Sequence, residues 1–527
     1  MRLRLFLSLV AIVTACAGCG SLPVDLPRTA SHAIPAARDS DLGSISAASV
    51  PEAGMTGFRL MPTPEFSLHA RIELALRAQR SLDLQYYEIH DDQTGRYVLR
   101  LLRDAAARGV RVRLLLDDLH TSGEDRLLLA LAAHDNVEIR LFNPFPYWRG
   151  NLLSRYAATL TDSGRLNHRM HNKLFIADGA MAVVGGRNIG DEYFLRDAGA
   201  NFIDLDTLVA GMLLPRLGGL FDEYWNSRYA YPLGAIVRVD DDQATLRAWF
   251  DGATGPRSSP PPSPPPDRDL MGHEPIGREL ARGGLSLTVA GADAFADAPD
   301  KVTRPRGAGG RGESNEKQDS VLYNVRKQVR DAREEVAETT PYLVPGREGM
   351  ESMRLLRERG VKFSIVTNSL AAIDEIAVYT GYRRYRPEML QLGVELYELS
   401  PDRVRSNAAR FGNYGPSFGR LHAKSAVIDR KTVFIGSLNF DPRSDQHNTE
   451  FGLFIYSTVL ADELLRLMEY VKVDGSYRLR LSTHGRGIEW VVLDGGVERV
   501  LSDEPEADGW KRLLLNVLTP LVPEDLL

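Results

Sequence analysis

The sequence predicts an α/β protein built from two homologous halves that pack about a pseudo-twofold axis. Two observations support this prediction. Helical and strand-like segments alternate from residue 65 onward, which is the pattern of a sheet layered with helices. Short sequence segments of the first part of the chain are repeated in the second part, most clearly residues 170–178 as residues 421–429. A duplicated α/β unit accounts for both observations.

The first half is predicted over residues 61–250 and the second over residues 320–480. In the first half, the apolar periodicity and the helix-ending glycines predict the elements in this order: helix 72–80, strand 82–87, helix 97–108, strand 110–116 and strand 137–142. Between the halves, a Pro-rich stretch and a Gly-rich stretch predict a linker and insert over residues 251–319. Residues 481–527 are predicted to be a C-terminal extension that packs on the second half.

The composition excludes several classes of protein. The chain has 527 residues, of which 43% are hydrophobic and 25% charged, as in globular proteins of more than one domain. It carries 64 Lys and Arg against 70 Asp and Glu, so the formal charge is −6. Nucleic-acid binders usually have the opposite bias, and no nucleic-acid partner is expected.

The N-terminus has the layout of a secretory signal. Basic residues precede a short apolar run at residues 5–13, and small residues with two cysteines follow. The run is too short to span a bilayer as a helix. Its flanks are typical of a bacterial lipobox, so residues 1–19 are predicted to be a signal, with lipidation at Cys16 or Cys19; an ordinary cleaved signal is the alternative. Residues 20–60 lack apolar periodicity and are predicted to be a flexible tether.

These two cysteines are the only ones in the chain. The rest of the protein therefore has no thiol for a disulfide framework, a cysteine zinc site or a cysteine nucleophile.

Each half contains one copy of a longer motif: His-x-Lys, then Asp, Gly, a small residue and Asn at identical spacing. The two copies are His171, Lys173, Asp178, Gly185, Gly186 and Asn188, and His422, Lys424, Asp429, Gly436, Ser437 and Asn439. Residues at i and i+2 of a strand face the same side, so His and Lys of each copy are expected to share a face. A hairpin turn at Asp178 would return the next strand, and with it Asn188, to the same region.

Together the halves would place two imidazoles, two ammonium groups and two amides around one cavity. One imidazole can attack phosphorus while the other protonates the leaving alkoxide, and the lysines and asparagines can hold the phosphate oxygens. Such a site needs no cofactor and no metal. A metal site at His168, His171 and Asp178 is the alternative, but it leaves the recurring lysine unexplained, because lysine is a poor ligand at neutral pH.

The motifs, together with the stretches at residues 141–145, 185–194, 367–372 and 440–444, resemble the phospholipase D superfamily with two HKD motifs. Within it the chain is similar to the bacterial cardiolipin-synthase branch, the C-type synthases especially, over about residues 60–525. The resemblance implies two phospholipase D-like α/β/α sandwich halves.

The activity implied by this resemblance is phosphatidyl transfer. Cardiolipin would be made from phosphatidylglycerol, with phosphatidylglycerol or phosphatidylethanolamine as donor, through a phosphohistidine. Hydrolysis to phosphatidic acid and a secreted nuclease are the alternatives, and a lipoprotein that only binds lipid is a third. The implied partners are these phospholipids and a membrane surface. The implied location is the periplasm-facing side of the bacterial envelope, lipid-anchored, with the outer membrane favoured over the inner.

The resemblance also implies roles for single residues. His171 is expected to be the nucleophile and His422 the acid. In this family an acidic residue downstream of each motif contacts the histidine, and Glu450 and Asp206 are the expected pair. The motif aspartates belong to the candidate catalytic set, yet they sit at turns and are expected to brace the motifs: Asp178 and Asp429. Candidates for lining the cleft, with core packing as the alternative, are Tyr86, Tyr87, Tyr342, Asn368, Tyr379, Tyr382 and Tyr385.

Overall fold

The structure is a computed structural model that describes residues 22–23, 26–147, 149–159, 162–303, 320–482 and 487–519. Its strands are β1 (Thr56–Met61), β2 (Ser81–Tyr86), β3 (Arg111–Asp117), β4 (Val137–Phe142), β5 (Leu174–Ala177), β6 (Met181–Gly185), β7 (Ala200–Ile203), β8 (Asp206–Gly211), β9 (Ala230–Pro232), β10 (Thr288–Ala296), β11 (Glu335–Thr339), β12 (Lys362–Asn368), β13 (Glu395–Leu399), β14 (Phe418–Leu421), β15 (Ser425–Ile428), β16 (Thr432–Gly436), β17 (Phe451–Tyr456), β18 (Ser476–Leu481), β19 (Ile488–Asp494) and β20 (Val497–Leu501).

The helices are α1 (Asp41–Ser49), α2 (Pro64–Arg77), α3 (Gln93–Ala107), α4 (Asp125–Ala132), α5 (Leu152–Thr159), α6 (Ser163–Leu166), α7 (Leu214–Trp225), α8 (Leu233–Ile236), α9 (Gln243–Ala253), α10 (Ile276–Ala281), α11 (Val321–Asp331), α12 (Gly346–Glu358), α13 (Ile376–Gln391), α14 (Pro401–Ser406), α15 (Ala408–Phe411), α16 (Pro442–Gln446), α17 (Thr458–Gly475) and α18 (Gly509–Leu518). Two short 3-10 helices lie at Asp191–Tyr193 and Pro299–Thr303.

The two halves have the same strand order. In the first half β4, β3 and β2 pair in parallel, and β5, β6, β8 and β1 continue from β2 as antiparallel neighbours. In the second half β13, β12 and β11 pair in parallel, and β15, β16, β17 and β10 follow in the antiparallel sense. The predicted α/β fold of two homologous halves is confirmed.

Strand β10 joins the two halves into one sheet of 18 strands. Its first three residues, 288–290, pair with β1, and residues 291–296 pair with β17. This strand lies inside the segment 251–319, which the sequence predicts as a linker and insert, so residues 288–296 belong to the sheet and not to a linker. The segment is rich in Ala and Gly, which have low β-propensity, and its pattern therefore gave no strand signal.

The N-terminal segment also differs from the prediction. Residues 26–60 do not form a flexible tether, because they pack along the first half. The backbone N–H of Ser31 donates to Asn226 and that of Ala33 to Asp222, both at the end of α7. Helix α1 follows, and its Leu42 is fully buried in the core of the first half.

The described part of the C-terminal extension, residues 487–519, contacts the second half. β18 pairs with β13, and β19 and β20 extend the sheet from there. The Glu504 carboxylate lies 2.9 Å from the Arg386 guanidinium of α13. Among the described residues, no helix is both long enough and apolar enough to cross a bilayer.

Candidate active site

The motif histidines and lysines lie immediately before β5 and β15 rather than within these strands. All four side chains are buried. The Lys173 ammonium donates to the His171 carbonyl oxygen at 2.6 Å, and Lys424 donates to the carbonyl of His422 at 2.7 Å. Each lysine ammonium is therefore held at the backbone of its own histidine.

Each motif is hydrogen-bonded to the opposite half of the chain. The backbone N–H of His171 donates to the Thr449 carbonyl at 2.9 Å, and the N–H of His422 donates to the Ile203 carbonyl at 2.8 Å. The pairing of β14 with β7 extends the second contact. Because Thr449 and Ile203 each precede an acidic residue, these contacts bring a carboxylate from one half to the histidine of the other.

The two carboxylates are Glu450 and Asp204. Glu450 Oε2 lies 3.0 Å from His171 Nδ1, and Asp204 Oδ2 lies 2.6 Å from His422 Nδ1. Both acidic side chains are buried. Since Nδ1 of each imidazole faces a carboxylate, Nε2 is the nitrogen left to act on a substrate.

The expected role of Asp206 is wrong. Its carboxylate accepts hydrogen bonds from Ser67 and Arg71 and forms a buried ion pair with Arg187, and it has no contact with His422. The strand register explains the difference, because Gly185 of β6 pairs with Asp206 whereas Gly436 of β16 pairs with Gly452. Asp204 and Glu450 lie two residues before Asp206 and Gly452, just ahead of β8 and β17, and are therefore structural equivalents.

The motif aspartates brace the hairpins, as expected, and do not reach the histidines. Asp178 has a φ of 54° and Asp429 a φ of 52°, both left-handed turn conformations. Their carboxylates accept hydrogen bonds from the backbone N–H groups at the start of the neighbouring strands: Gln79, Arg80 and Ser81 at the start of β2, and Arg333, Glu334 and Glu335 at the start of β11. They hold the far end of the strand that each motif precedes.

The motif asparagines are both buried. The Asn188 side-chain N–H group donates to the Tyr193 hydroxyl at 2.8 Å and to Glu88 at 3.2 Å. The Tyr193 ring packs edge-on against His422, with centroids 5.4 Å apart. Asn439 is anchored through its backbone N–H to Ser444. Phosphate binding by these two amides remains a prediction.

A cluster of three polar side chains, Tyr87, His120 and Glu88, lies next to His171. The Tyr87 ring lies edge-on to His171, with centroids 5.1 Å apart, and its hydroxyl is 2.9 Å from His120 Nε2. His120 Nδ1 is 2.8 Å from the Glu88 carboxylate. Tyr87 was a candidate cleft residue, but Glu88 and His120 were missed. The strand register places Glu88 at the position that Tyr342 occupies in the second half. Because the two residues differ, comparing the two halves of the sequence does not identify Glu88 as a site residue.

The other candidate cleft residues have mainly structural contacts. Asn368 donates its side-chain N–H to the Leu421 carbonyl and accepts from the Leu421 N–H, which braces the residue before His422. Tyr86, Tyr379 and Tyr382 are buried among the core residues.

The pKa values of both motif lysines are lowered by their surroundings. Burial lowers the pKa of Lys173 to about 7, and the neighbouring Lys424 contributes to the shift. Burial likewise lowers the pKa of Lys424 to about 8, against the opposing effect of Asp204 and Glu450. Both lysines therefore begin to lose their charge close to neutral pH.

The two histidine–carboxylate pairs are electrostatically unequal. Burial opposes ionisation of Asp204, but the His422 imidazole and Lys424 bring its pKa down to about 2. Burial raises the pKa of Glu450 to about 7, and its Oε1 atom has no hydrogen-bond partner among the described residues. Burial, with Lys173 and Lys424, holds the pKa of His171 well below its ordinary value. His422 thus faces an ionised carboxylate. Burial and Lys424 lower the pKa of His422 as well, but Asp204 opposes that shift, whereas the pKa of His171 is held well below its ordinary value.

The alternative metal site is not assembled. The Asp178 carboxylate binds backbone N–H groups, and His168 Nε2 lies 3.2 Å from His447 Nδ1. Within the described ranges, a different group has imidazole and carboxylate atoms within 4.8 Å of one another: Glu88, His90 and Glu192. Cys16 and Cys19, the predicted lipidation sites, lie outside the described residues.

The chain is similar to several known proteins. A family model described as "Cardiolipin synthase, PLD-like domain" matches residues 72–215 and 325–472. The chain is 38% identical over 465 residues to cardiolipin synthase C of Escherichia coli (strain K12), covering 87% of this chain and 93% of that protein. It is 25% identical over 392 residues to a cardiolipin synthase of Halalkalibacterium halodurans, covering 74% and 61%.

Among solved structures, the crystal structure of phosphatidylserine synthase from Haemophilus influenzae Rd KW20 matches with a TM-score of 0.55 and 13% identity. The match covers 89% of this chain and 95% of that one, and at this identity it supports the fold alone.

Proposed function

Because the chain belongs to the family described as cardiolipin synthase, PLD-like domain, we propose that this phospholipase D-type phosphatidyltransferase makes cardiolipin. The acceptor is phosphatidylglycerol, and the donor is phosphatidylglycerol or phosphatidylethanolamine. The observation that carries the proposal is the pair of buried histidines, each held by a carboxylate from the other half.

In the first step, Nε2 of neutral His171 attacks the donor phosphorus. A P–N bond forms as the P–O bond to the head group breaks, and the His422 imidazolium gives its proton to the leaving oxygen. The ionised Asp204 stabilises that imidazolium, which suits His422 to the acid role. The low pKa of His171 suits it to the nucleophile role, because an unprotonated imidazole is required.

In the second step, His422 takes the proton of a glycerol hydroxyl of phosphatidylglycerol. The alkoxide attacks phosphorus, the P–N bond breaks, and cardiolipin leaves with His171 restored. Lys173 and Lys424 neutralise the charge that builds on the phosphate oxygens in both steps. A lipid hydroxyl held beside the phosphohistidine outcompetes water through its high effective molarity.

The proposed location follows from the substrates and from the N-terminus. The enzyme associates with a membrane that contains its phospholipid substrates. Acylation at Cys16 or Cys19 anchors it on the periplasm-facing side of the envelope, with the outer membrane favoured because neither cysteine is followed by Asp.

The proposal is tested by giving purified protein phosphatidylglycerol alone, and then with phosphatidylethanolamine, and resolving the products by mass. Cardiolipin is expected, in larger amount when both lipids are present. Phosphatidic acid alone would make the enzyme a hydrolase. If no lipid is turned over, cleavage of plasmid DNA without added metal tests the nuclease alternative. The His171→Ala/His422→Ala double variant is the negative control for both lipid assays and for the DNA assay.

A further inference from the structure

Helix α18 exposes one apolar face. Trp510, Leu513 and Val517 are 68%, 55% and 51% exposed, and their spacing of i, i+3 and i+7 places them on one side of the helix. Leu515 lies on the other side, buried in the core of the second half. The helix is therefore anchored by one face and unpartnered on the other.

Lys511 and Arg512 lie on the side of α18 away from this face, where they donate to the carbonyls of Ala371 and Glu504, and Asp508 caps the N-terminus of the helix. Cationic groups near the face come from another helix. The neighbouring α13 adds two guanidinium groups, since Arg383 donates to the Asn516 side chain and Arg384 to the Thr519 carbonyl. A helix with Trp and Leu on its apolar side and cations beside it matches the composition of helices that lie in the interface of an anionic bilayer.

The same helix contacts a loop at the active site. The Lys511 ammonium donates to the carbonyl of Ala371 at 2.8 Å, in the loop that follows β12. This loop continues to Asp374, which accepts a hydrogen bond from the Tyr342 hydroxyl at 3.0 Å. Tyr342 is the counterpart of Glu88 in the first half, so the loop lies beside the catalytic cluster.

A second helix with exposed apolar residues lies in the first half. On α5, Leu153 is 82% exposed and Tyr156 is 51% exposed, again at i and i+3. The Arg155 guanidinium of α5 donates to the Leu119 carbonyl at 3.2 Å, and Leu119 is the residue before His120. Helix α5 therefore packs beside His120, in the polar cluster next to His171.

From this arrangement we propose that α18 docks the enzyme on the surface of a bilayer containing anionic phospholipid. Its apolar face enters the boundary between head groups and acyl chains. This rests on the phospholipid substrate proposed above. A bilayer is favoured over a second copy of the chain because Arg383 and Arg384 lie beside the C-terminal half of the helix and because the face flanks a site whose substrates reside in a membrane.

The test uses the full chain in a Cys16→Ser/Cys19→Ser background, so that no acyl anchor contributes. Sedimentation with vesicles of phosphatidylglycerol and phosphatidylethanolamine should capture the protein, with a blue shift of Trp fluorescence that is lost in Trp510→Phe. Leu513→Asp and Val517→Asp should each reduce vesicle binding by roughly tenfold. Both side chains are exposed, so the fold should be retained, which circular dichroism checks.

Val459→Asp is the matched control, since Val459 is 54% exposed on α17 and lies beyond the end of β17 opposite to Glu450. It should leave vesicle binding unchanged. Leu513→Asp should lose turnover on vesicles and keep it on a dispersed short-chain phospholipid. Equal binding of all variants to vesicles, or an apolar face that instead holds two copies together in solution, overturns the proposal. Loss of turnover on every substrate with binding intact would contradict the proposed function, not the docking.

Discussion

The Asp204 carboxylate, in the first half of the chain, lies 2.6 Å from Nδ1 of His422 in the second half. The reciprocal pair, Glu450 and His171, crosses the interface in the other direction at 3.0 Å. Neither half alone therefore holds a histidine with its carboxylate, so a correctly docked pair of halves is required for the site.

Asp204→Asn should lower kcat by roughly 10²-fold or more with the fold retained. The amide cannot stabilise the His422 imidazolium, and general acid–base assistance is commonly of that size. Steady-state turnover of phosphatidylglycerol, with thermal unfolding of the same sample, provides the measurement.

Asp206→Asn is the matched comparison for that variant. Removing a charge from the buried pairs with Arg71 and Arg187 should destabilise the protein by about 3–5 kcal/mol, while correctly folded molecules keep most of their kcat. The assignment of the carboxylates would be reversed if Asp206→Asn lost turnover at unchanged stability and Asp204→Asn remained active.

His171→Ala and His422→Ala should each abolish cardiolipin formation, because the two imidazoles act in different steps. Acid-labile phosphate trapped on the enzyme with labelled donor should be absent from His171→Ala. If the label is lost only in His422→Ala, the roles of nucleophile and acid must be exchanged.

The pH profile should have an alkaline limb set by the motif lysines. With pKa values lowered to about 7 for Lys173 and about 8 for Lys424, these groups are charged below and neutral above those values. Since the reaction needs the cations, kcat/KM should fall as pH rises through this window, and kcat/KM reports the free enzyme. Lys173→Arg should move the limb to higher pH, whereas Lys173→Ala should cost roughly 10²-fold.

Lys472 provides the control for this profile. It is a lysine outside the site whose pKa burial also lowers, and its ammonium donates to Ser364. Lys472→Met should leave the alkaline limb in place. A profile that stays flat in the wild type through about pH 9 would show that the lysine charges are not needed.

Activity should survive chelation. The positive field in the proposed mechanism comes from two lysines, so protein treated with EDTA should turn over lipid at the untreated rate. Loss of activity that a divalent ion restores would contradict the mechanism. Repeating the assay with Glu192→Gln would then show whether the group of Glu88, His90 and Glu192 holds that ion.

Fractionation of cells expressing the wild type and the Cys16→Ser/Cys19→Ser variant tests the proposed anchor. The wild type should sediment with the outer membrane, and the variant should shift at least in part to the soluble fraction after washing in high salt, which weakens the electrostatic part of bilayer binding. Identical distributions would eliminate acylation as the anchor.

Local pattern was enough to predict much of the first half. Strand β4 occupies residues 137–142 as expected, and the Asp178-Gly179 turn has the two positive φ values, 54° and 60°, that its sequence favours. The segment of residues 26–60 was not predictable in this way. Its order comes from hydrogen bonds to Asn226 and Asp222, nearly two hundred residues away along the chain.

By itself, the sequence determined the chemical groups of the site, because two copies of one motif at identical spacing are not expected by chance. Only the tertiary structure decided which carboxylate serves which histidine. Asp204 and Asp206 are two residues apart in an extended segment, so alternation places both on one face and cannot choose between them. The register of β8 against β6 is set by pairing between strands that are distant in the sequence. It places Asp206 beside Arg71, and it places Asp204 next to a histidine from the other half.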